Sequence, residues 1–541
     1  MKHPRRFPWV LLVLSVLATA HAHAIEKWLY HATNLLVDKN IDQLETLWRR
    51  ASAAGYTHVL LADSKFGRLA EMDPRYFKNV DRVKKIATDL KLEIVPAVFP
   101  VGYSNDILGQ DVNLIEAMPV KDLPLVVRGG VARVDDPDAP SLPGGDFSDL
   151  KKWSWKDDNI VADDGAARLT DGGGKNARIV QKLKLQPWRQ YHVSVRIKTR
   201  DFHGQPEIKA LPEKADGASL QWVNLGVKPT QDWTVHHVVF NSQRFTDVSL
   251  FFGVWGAGAG SLWWDDAKIE EVAFLNMTRR PGTPLAITTA NGKALTEGRD
   301  FEPLSDPLLG AKPYRGEYDS FHEVPVLKTK LPEGTKLRAN YFHGATVYDQ
   351  QATICLSEPK TYEVLRDQAQ RLHAAWGAKG YMMSHDEIRV MNWCAACQAR
   401  GITPGAMLAD NVKRCIGILR DVNPGGRIYV WNDMFDPNHN AVPGPYYLVN
   451  GPITGSWDGL DKDVIILPWY FEKRAESLKF FADRGNKQVI AGYYDADPAK
   501  VADWLTAAKK VPGSVLGVMY TTWKDDYSNL KKFSAAIDAA K

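Results

Sequence analysis

Residues 380–393 read GYMMSHDEIRVMNW, and the apolar run at 381–383 passes into His385, Asp386 and Glu387 with no turn residue between. Charged groups are costly to bury unless they are paired or used. A strand that stops on two carboxylates and an imidazole is therefore placed for chemistry. Adjacent carboxylates repel, so one of them keeps its proton near neutral pH while the other is an anion. That split provides acid–base catalysis from two neighbours. The plain alternative is a surface triplet capping a following helix, since Asp and Glu suit helix N-termini.

Other apolar runs stop in the same way. Asn34, Asp63, Trp431-Asn432-Asp433, Trp469-Tyr470, Tyr493-Tyr494-Asp495 and Thr522-Trp523 each follow a strand-like stretch. In a (β/α)₈ barrel, chemistry gathers at the C-terminal ends of the strands. Trp431, Trp469, Tyr493, Tyr494 and Trp523 would wall an apolar cup with polar tips, and His385, Asp433 and Asp495 would add polar contacts. A pyranose asks for that shape, with C–H faces to stack and hydroxyls to bind. Packing within a core is the alternative for any one of the indoles.

The elements that must position these residues show two rhythms. Strand-like 28–34, helical IDQLETLWRRASAAG ending at Gly55, strand-like 56–63, a helix opening at Pro74 and strand-like 92–100 alternate as in a parallel α/β fold. The polar, Gly-marked loop GYSNDILGQD then has the character of a site loop. From 140 to 275 helical periodicity disappears. Short alternating strands rich in Trp (153, 155, 188, 222, 233, 255, 263 and 264) predict a β-sandwich. Residues 276–335 are Pro- and Gly-rich and read as an irregular β extension. The α/β rhythm resumes over 336–541, with strand-like runs at 337–344, 380–387, 427–434, 463–471, 488–495 and 515–523. Nine candidates compete for eight barrel positions. LRANYFHG at 337–344 is taken as the extra one, which makes the carboxylate run strand 4. The expected fold is a TIM barrel, its strands 1–3 in 25–139 and strands 4–8 in 336–541, interrupted by an inserted all-β sandwich.

The chain has 541 residues, a net charge of +4 and eighteen Trp, a balance that gives no reason to expect nucleic acid as a partner. Lys2, Arg5 and Arg6 precede an apolar run at 10–18 and then Ala22-His23-Ala24, the layout of a secretory signal peptide cut after Ala24. The protein is expected to be secreted or periplasmic. No later run reaches the ~18 apolar residues of a membrane span. Four cysteines, Cys355, Cys394, Cys397 and Cys415, lie around the carboxylate strand. In an exported chain a disulfide is the first expectation, with a four-thiolate zinc site and buried free thiols as alternatives.

The sandwich segment, and its ending GSLWWDDAKIE in particular, resembles the jelly-roll carbohydrate-binding modules of secreted glycosidases. That resemblance implies a structural calcium that Asp265 or Asp266 could help hold. The barrel blocks resemble the family 20 glycoside hydrolases and their β-N-acetylhexosaminidase relatives, whose strand 4 ends in an Asp-Glu pair, here Asp386-Glu387. The resemblance implies that Glu387 is the general acid/base and that Asp386 polarises the substrate's 2-acetamido group. That group attacks the anomeric carbon itself, an exception to the two-carboxylate scheme. It also implies that Trp431, Trp469 and Trp523 line the sugar site and that Tyr493 or Tyr494 binds the acetamido carbonyl. Two departures stand out. Met383-Ser384-His385 replaces the family's His-x-Gly-Gly, and strand 1 (Trp28-Leu-Tyr-His-Ala-Thr-Asn34) lacks the family's sugar-gripping Arg. The rival readings are a conventional retaining glycosidase with Asp433 or Asp495 as nucleophile, and a non-catalytic carbohydrate-binding barrel. A metal-dependent hydrolase is disfavoured because no second His cluster accompanies His385, and no cofactor is expected.

Overall fold

The computed structural model describes residues 25–540 except 171, 216 and 349. The expected signal segment, 1–24, lies outside the described residues. Eight strands form a closed parallel barrel: β1 (Glu26–Ala32), β2 (His58–Ala62), β3 (Glu93–Val98), β4 (Gly380–Met383), β5 (Arg427–Trp431), β6 (Ile465–Leu467), β7 (Gln488–Ile490) and β8 (Val515–Tyr520). They follow one another in chain order, and β8 closes on β1 with Trp28 opposite Met519.

Helices cover most crossovers, and their limits follow from local chemistry. Helix α1 (Asp38–Ala53) buries Ile41, Leu44, Trp48 and Ala51, one stripe of a 3.6-residue repeat. Helix α2 (Pro74–Asp89) starts with Pro at its first turn, and the Asp73 carboxylate caps the Arg75 and Tyr76 amides, a cap worth about 1 kcal/mol. Helix α3 (Pro359–Trp376) stops at Gly377, whose φ of 54° is the left-handed turn that glycine adopts without penalty. Helices α4 (Pro404–Val422), α5 (Arg474–Asp483), α6 (Val501–Ala508) and α7 (Leu530–Ala540) follow. The β5–β6 crossover departs from the expected (β/α)₈ pattern, since the only helical turns it carries are 3₁₀, Asp433–Phe435 and Ser456–Gly459. Inside the barrel Trp28, Leu60, Val95, Met382, Tyr429 and Met519 form a packed core. The barrel is thus filled below and open only at its mouth.

Between β3 and α3 the chain builds three further sheets. Two five-stranded antiparallel sheets, spanning Trp155–Val272, face one another. Their shared core includes Phe147, Trp153, Tyr191, Phe252 and Trp264. The Lys209 ammonium lies over the rings of both Trp222 and Trp255, at 3.6 and 3.5 Å. Asp265 pairs with Arg196 and Asp266 with Lys268.

The third sheet corrects the expected segmentation. Ala117–Arg128 and Val131–Val134, assigned to the first barrel block, pair instead with Lys336–Gly344, Ala286–Thr289 and Leu327–Lys328. The segment 276–335 is mostly irregular, as expected, but lends two short strands to this sheet, Ala286–Thr289 and Leu327–Lys328, and its Phe301 joins a core with Leu123, Leu125 and Tyr341. LRANYFHG lies in this sheet, outside the barrel. Among the described residues no helix is long and apolar enough to cross a membrane.

Candidate active site

A cleft of about 730 Å³ opens at the C-terminal end of the barrel strands. Asp386 and Glu387 lie in its lining with Trp431, Trp469, Tyr494 and Trp523. The rings form a near-continuous wall. Trp431 and Trp523 stand 6.4 Å apart, Tyr30 lies 5.1 Å from Trp523, and Trp469 stacks on Tyr494 at 5.5 Å with a 6° interplanar angle. Trp431 is buried while Trp523 is 49% exposed, so the inner part of the wall is fixed and the outer part meets solvent.

The loop leaving β4 is held on every side. The Ser384 amide donates to the Val98 carbonyl, and the Ser384 carbonyl accepts from the Val101 amide. The Glu387 amide donates to Asp433 Oδ2 at 2.8 Å. Gln351 Nε2 donates to the carbonyls of both Gly102 and Glu387. Gly102 is required here, because a Cβ at that position would sit 1.8 Å from the Asp386 carbonyl oxygen.

The two carboxylates differ in surroundings. Asp386 is half-buried at the cleft floor. Desolvation first, and the neighbouring Glu387 charge second, raise its pKa from the ordinary 3.8 to about 7. Glu387 forms an ion pair with Arg389 at 2.7 Å and accepts a hydrogen bond from the Tyr103 hydroxyl. Arg389 in turn donates to Tyr103 Oη at 3.1 Å and to Gln351, and its guanidinium lies over the rings of Tyr348 and Tyr447 at 4.6 and 5.0 Å. One member of the pair therefore carries a proton near neutral pH, and the other sits against a fixed positive charge.

Four expected site residues lie elsewhere. His385 is fully buried behind the cleft with Nε2 3.1 Å from Asn411 Oδ1, and burial lowers its pKa to about 4. It is a neutral packing group. Asp433 is buried beneath the pair, where its Oδ2 accepts the Glu387 amide and Asn440 Nδ2. Burial, and then the Asp386 charge, hold its carboxyl well above the usual carboxylate range. Tyr493 stacks on Tyr520 at 4.1 Å, turned away from the cleft, which its neighbour Tyr494 lines. Asp495 accepts the Trp523 amide at 2.7 Å and so positions that indole's loop. Neither Asp433 nor Asp495 is placed as a nucleophile.

Sequence reasoning missed Tyr103, Arg389, Tyr30 and Asp106. Tyr103 and Asp106 belong to the GYSNDILGQD loop already marked by its composition, and Arg389 is two residues beyond Glu387. Asp106 lines the cleft, and burial raises its pKa to about 6. Asp63, also in the lining, is occupied by the Leu35 and Lys65 amides and the Tyr76 hydroxyl.

No family model matches the chain, and no curated protein matches it. Solved structures with a distant likeness include a rhamnosidase from Novosphingobium sp. PP1Y, 12% identical over 95% of this chain and 58% of its own, with a TM-score of 0.33. The family 20 β-N-acetylhexosaminidase from Streptomyces coelicolor A3(2) is 15% identical over 34% of this chain and 38% of its own, with a TM-score of 0.23. A family 4 carbohydrate-binding module is 20% identical over 28% of this chain and 97% of its own, with a TM-score of 0.19.

Proposed function

We propose that the protein is an exported glycoside hydrolase whose acid–base unit is the Asp386–Glu387 pair. What carries the reading is one juxtaposition: two adjacent carboxylates, one protonated near neutral pH, on the floor of a cleft walled by Tyr30, Trp431, Trp469, Tyr494 and Trp523. The rings stack on the C–H faces of a sugar. Asp386 gives its proton to the glycosidic oxygen as the anomeric C–O bond breaks. Glu387, held by Arg389 and Tyr103, stands beside the developing oxocarbenium ion. This assignment exchanges the roles that the family 20 resemblance implies for the two residues.

The nucleophile in this reading is the substrate's own 2-acetamido oxygen. It bonds to the anomeric carbon as the leaving group departs, and water opens the resulting oxazolinium ion with a carboxylate of the pair as base. The positions of Asp433 and Asp495 outside the cleft support it. Asp106 favours a second reading, a double displacement in which that carboxylate attacks the anomeric carbon, which requires carboxyl groups about 5–5.5 Å apart.

The test is a panel of chromogenic glycosides, 2-acetamido and 2-hydroxy, with wild type, Asp386→Asn and Glu387→Gln. At least one glycoside should turn over, and both variants should lose about 10²- to 10⁴-fold in kcat. Cleavage confined to 2-acetamido sugars supports assistance, whereas cleavage of 2-hydroxy sugars that is abolished in Asp106→Asn supports double displacement. Sugar binding without turnover of any glycoside would identify a non-catalytic carbohydrate-binding barrel and end the hydrolase proposal.

A further inference from the structure

Outside the cleft, three of the four cysteines meet a carboxylate in the interior. Cys355 Sγ lies 3.5 Å from Cys394 Sγ and 3.6 Å from Cys397 Sγ, and Glu116 Oε2 lies 3.5 Å from Cys397 Sγ. One atom from each of the four side chains falls within 4.8 Å of all the others. The three cysteines are fully buried and Glu116 is 1% exposed. None of the cysteines is in a disulfide, so the first expectation for them is not met. Cys415, on α4, is not part of the group.

We propose that Glu116, Cys355, Cys394 and Cys397 form a closed tetrahedral zinc site. The spacing supports the metal and its coordination number. A zinc ion with Zn–S bonds of about 2.3 Å and a Zn–O bond of about 2.0 Å sets neighbouring sulfurs about 3.8 Å apart, and a sulfur and an oxygen about 3.5 Å apart. The ligand types agree: a C-x-x-C pair, a third thiolate and a carboxylate suit zinc and exclude the hard cations that take oxygen alone. Four ligand atoms this close enclose one ion and leave no room for an iron–sulfur cluster. Three thiols cannot all be paired as disulfides, and burying them with a carboxyl is costly without a partner that satisfies them together.

The surroundings orient the ligands as a metal site requires. Glu116 Oε1 accepts the Trp393 and Cys394 amides at 2.7 and 2.9 Å, which turns Oε2 toward the sulfurs. The Cys355 amide donates to the Leu114 carbonyl, and the Glu116 amide to that of Thr353. These two bonds tie the Glu116 and Cys355 segments together before any ion arrives. Arg280 is buried, paired with Glu358 at 3.1 Å, and its positive charge acts on Cys355, Cys394 and Glu116, offsetting the excess negative charge of three thiolates and a carboxylate around a divalent ion. Binding would release the three thiol protons to solvent. All four positions are filled by protein, so the role is structural. The ion would join the end of the 384–394 loop, which carries Asp386, Glu387 and Arg389, to the segment that carries Gln351.

The full chain, purified without chelator, should contain about one zinc per molecule by plasma mass spectrometry. The Cys394→Ser/Cys397→Ser double variant should lose it, and Cys415→Ser should keep it. Cobalt(II) added to metal-stripped, reduced wild type should give visible d–d bands of tetrahedral intensity and a near-ultraviolet thiolate charge-transfer band, both lost when zinc is added. These readouts do not depend on any reaction in the cleft, so they stand or fall separately from the hydrolase proposal. Wild type that takes up neither ion would overturn the inference. So would an intact, non-reduced mass lower by the two hydrogens of a disulfide, or loss of zinc from Cys415→Ser alone.

Discussion

The Asp386→Asn substitution separates two consequences of one carboxyl. Its pKa rises from 3.8 to about 7 because burial and Glu387 oppose its negative charge. About three units at about 1.4 kcal/mol each put the cost of ionising Asp386 in the folded protein at up to about 4 kcal/mol. Asp386 is only half-buried, so water relaxation reduces the expected figure to about 2 kcal/mol. The folded-state pKa lies above the unfolded one. The proton's contribution to stability is therefore complete below about pH 4, declines between pH 4 and 7, and is lost above 7. Asparagine is never charged and escapes that loss. The variant should match wild type at pH 4 and melt about 3 °C higher at pH 8, with the gap opening across the interval, while turnover falls about 10²- to 10⁴-fold below pH 7 and by less at pH 8, where wild-type Asp386 has itself lost its proton. Thermal melts followed by circular dichroism at pH 4, 6 and 8, with glycoside kinetics on the same samples, provide both readouts. A variant less stable than wild type at pH 8, or one offset equally at all three pH values, would refute the electrostatic argument. Retained turnover would refute the role.

The remaining predictions concern the same cleft. Arg389→Met removes the partner of Glu387 at 2.7 Å from a position where the arginine side chain is 5% exposed, and should cost about 3 kcal/mol in denaturant titration, with a larger loss in kcat than in KM. Trp523→Ala takes away an indole that is 49% exposed; melting should be unchanged while KM rises about tenfold. Gly102→Ala places a Cβ against the Asp386 carbonyl, so the loop must shift, and turnover should fall about 10²-fold in a chain whose far-ultraviolet spectrum is native. A Gly102→Ala enzyme as active as wild type would show that the position of the loop does not matter.

How much of this was legible in the sequence depended on the range of the interactions. The barrel strands and the carboxylate pair could be read because they are local: apolar runs of fixed length, broken by charge. The side of the strand end on which each residue falls was also readable. Met382, Ser384 and Asp386 line the cleft while His385 points to Asn411, the two-residue alternation of a strand. Treating the strand-end polar residues as one group placed His385 and Asp433 in the cleft wrongly. The third sheet was not legible, because Ala117–Arg128 finds its partner at Lys336–Gly344, across the whole inserted sandwich, and neither strand carries a local mark of the other. Tyr103 reaches Glu387 across 284 positions and was hidden for the same reason. The cysteine cluster needed Glu116, which no spacing motif ties to a C-x-x-C far along the chain.

The same alternation raises a difficulty that the loop resolves. Two consecutive residues of an extended strand face opposite sides, so Asp386 and Glu387 cannot both enter the cleft from β4 as a strand. Glu387 has φ of 48°, in the left-handed region that costs a residue with a Cβ about 1–2 kcal/mol. That turn brings its carboxylate round to the side of Asp386. The contacts that hold it are specific to it: Asp433 accepts its amide, Gln351 donates to its carbonyl, and Arg389 and Tyr103 bind its carboxylate. Gly102 leaves room for the carbonyl that precedes it. Backbone strain persists where the surroundings over-determine it, and such places cluster at functional sites. The buried Asp433, unsuited to attack a sugar, thus has a physical role as the acceptor that holds the amide of the strained residue. The acidic pair is a product of this loop rather than of the strand that leads to it, and substitutions at 102, 351 and 433 should affect turnover although none of those side chains touches the substrate.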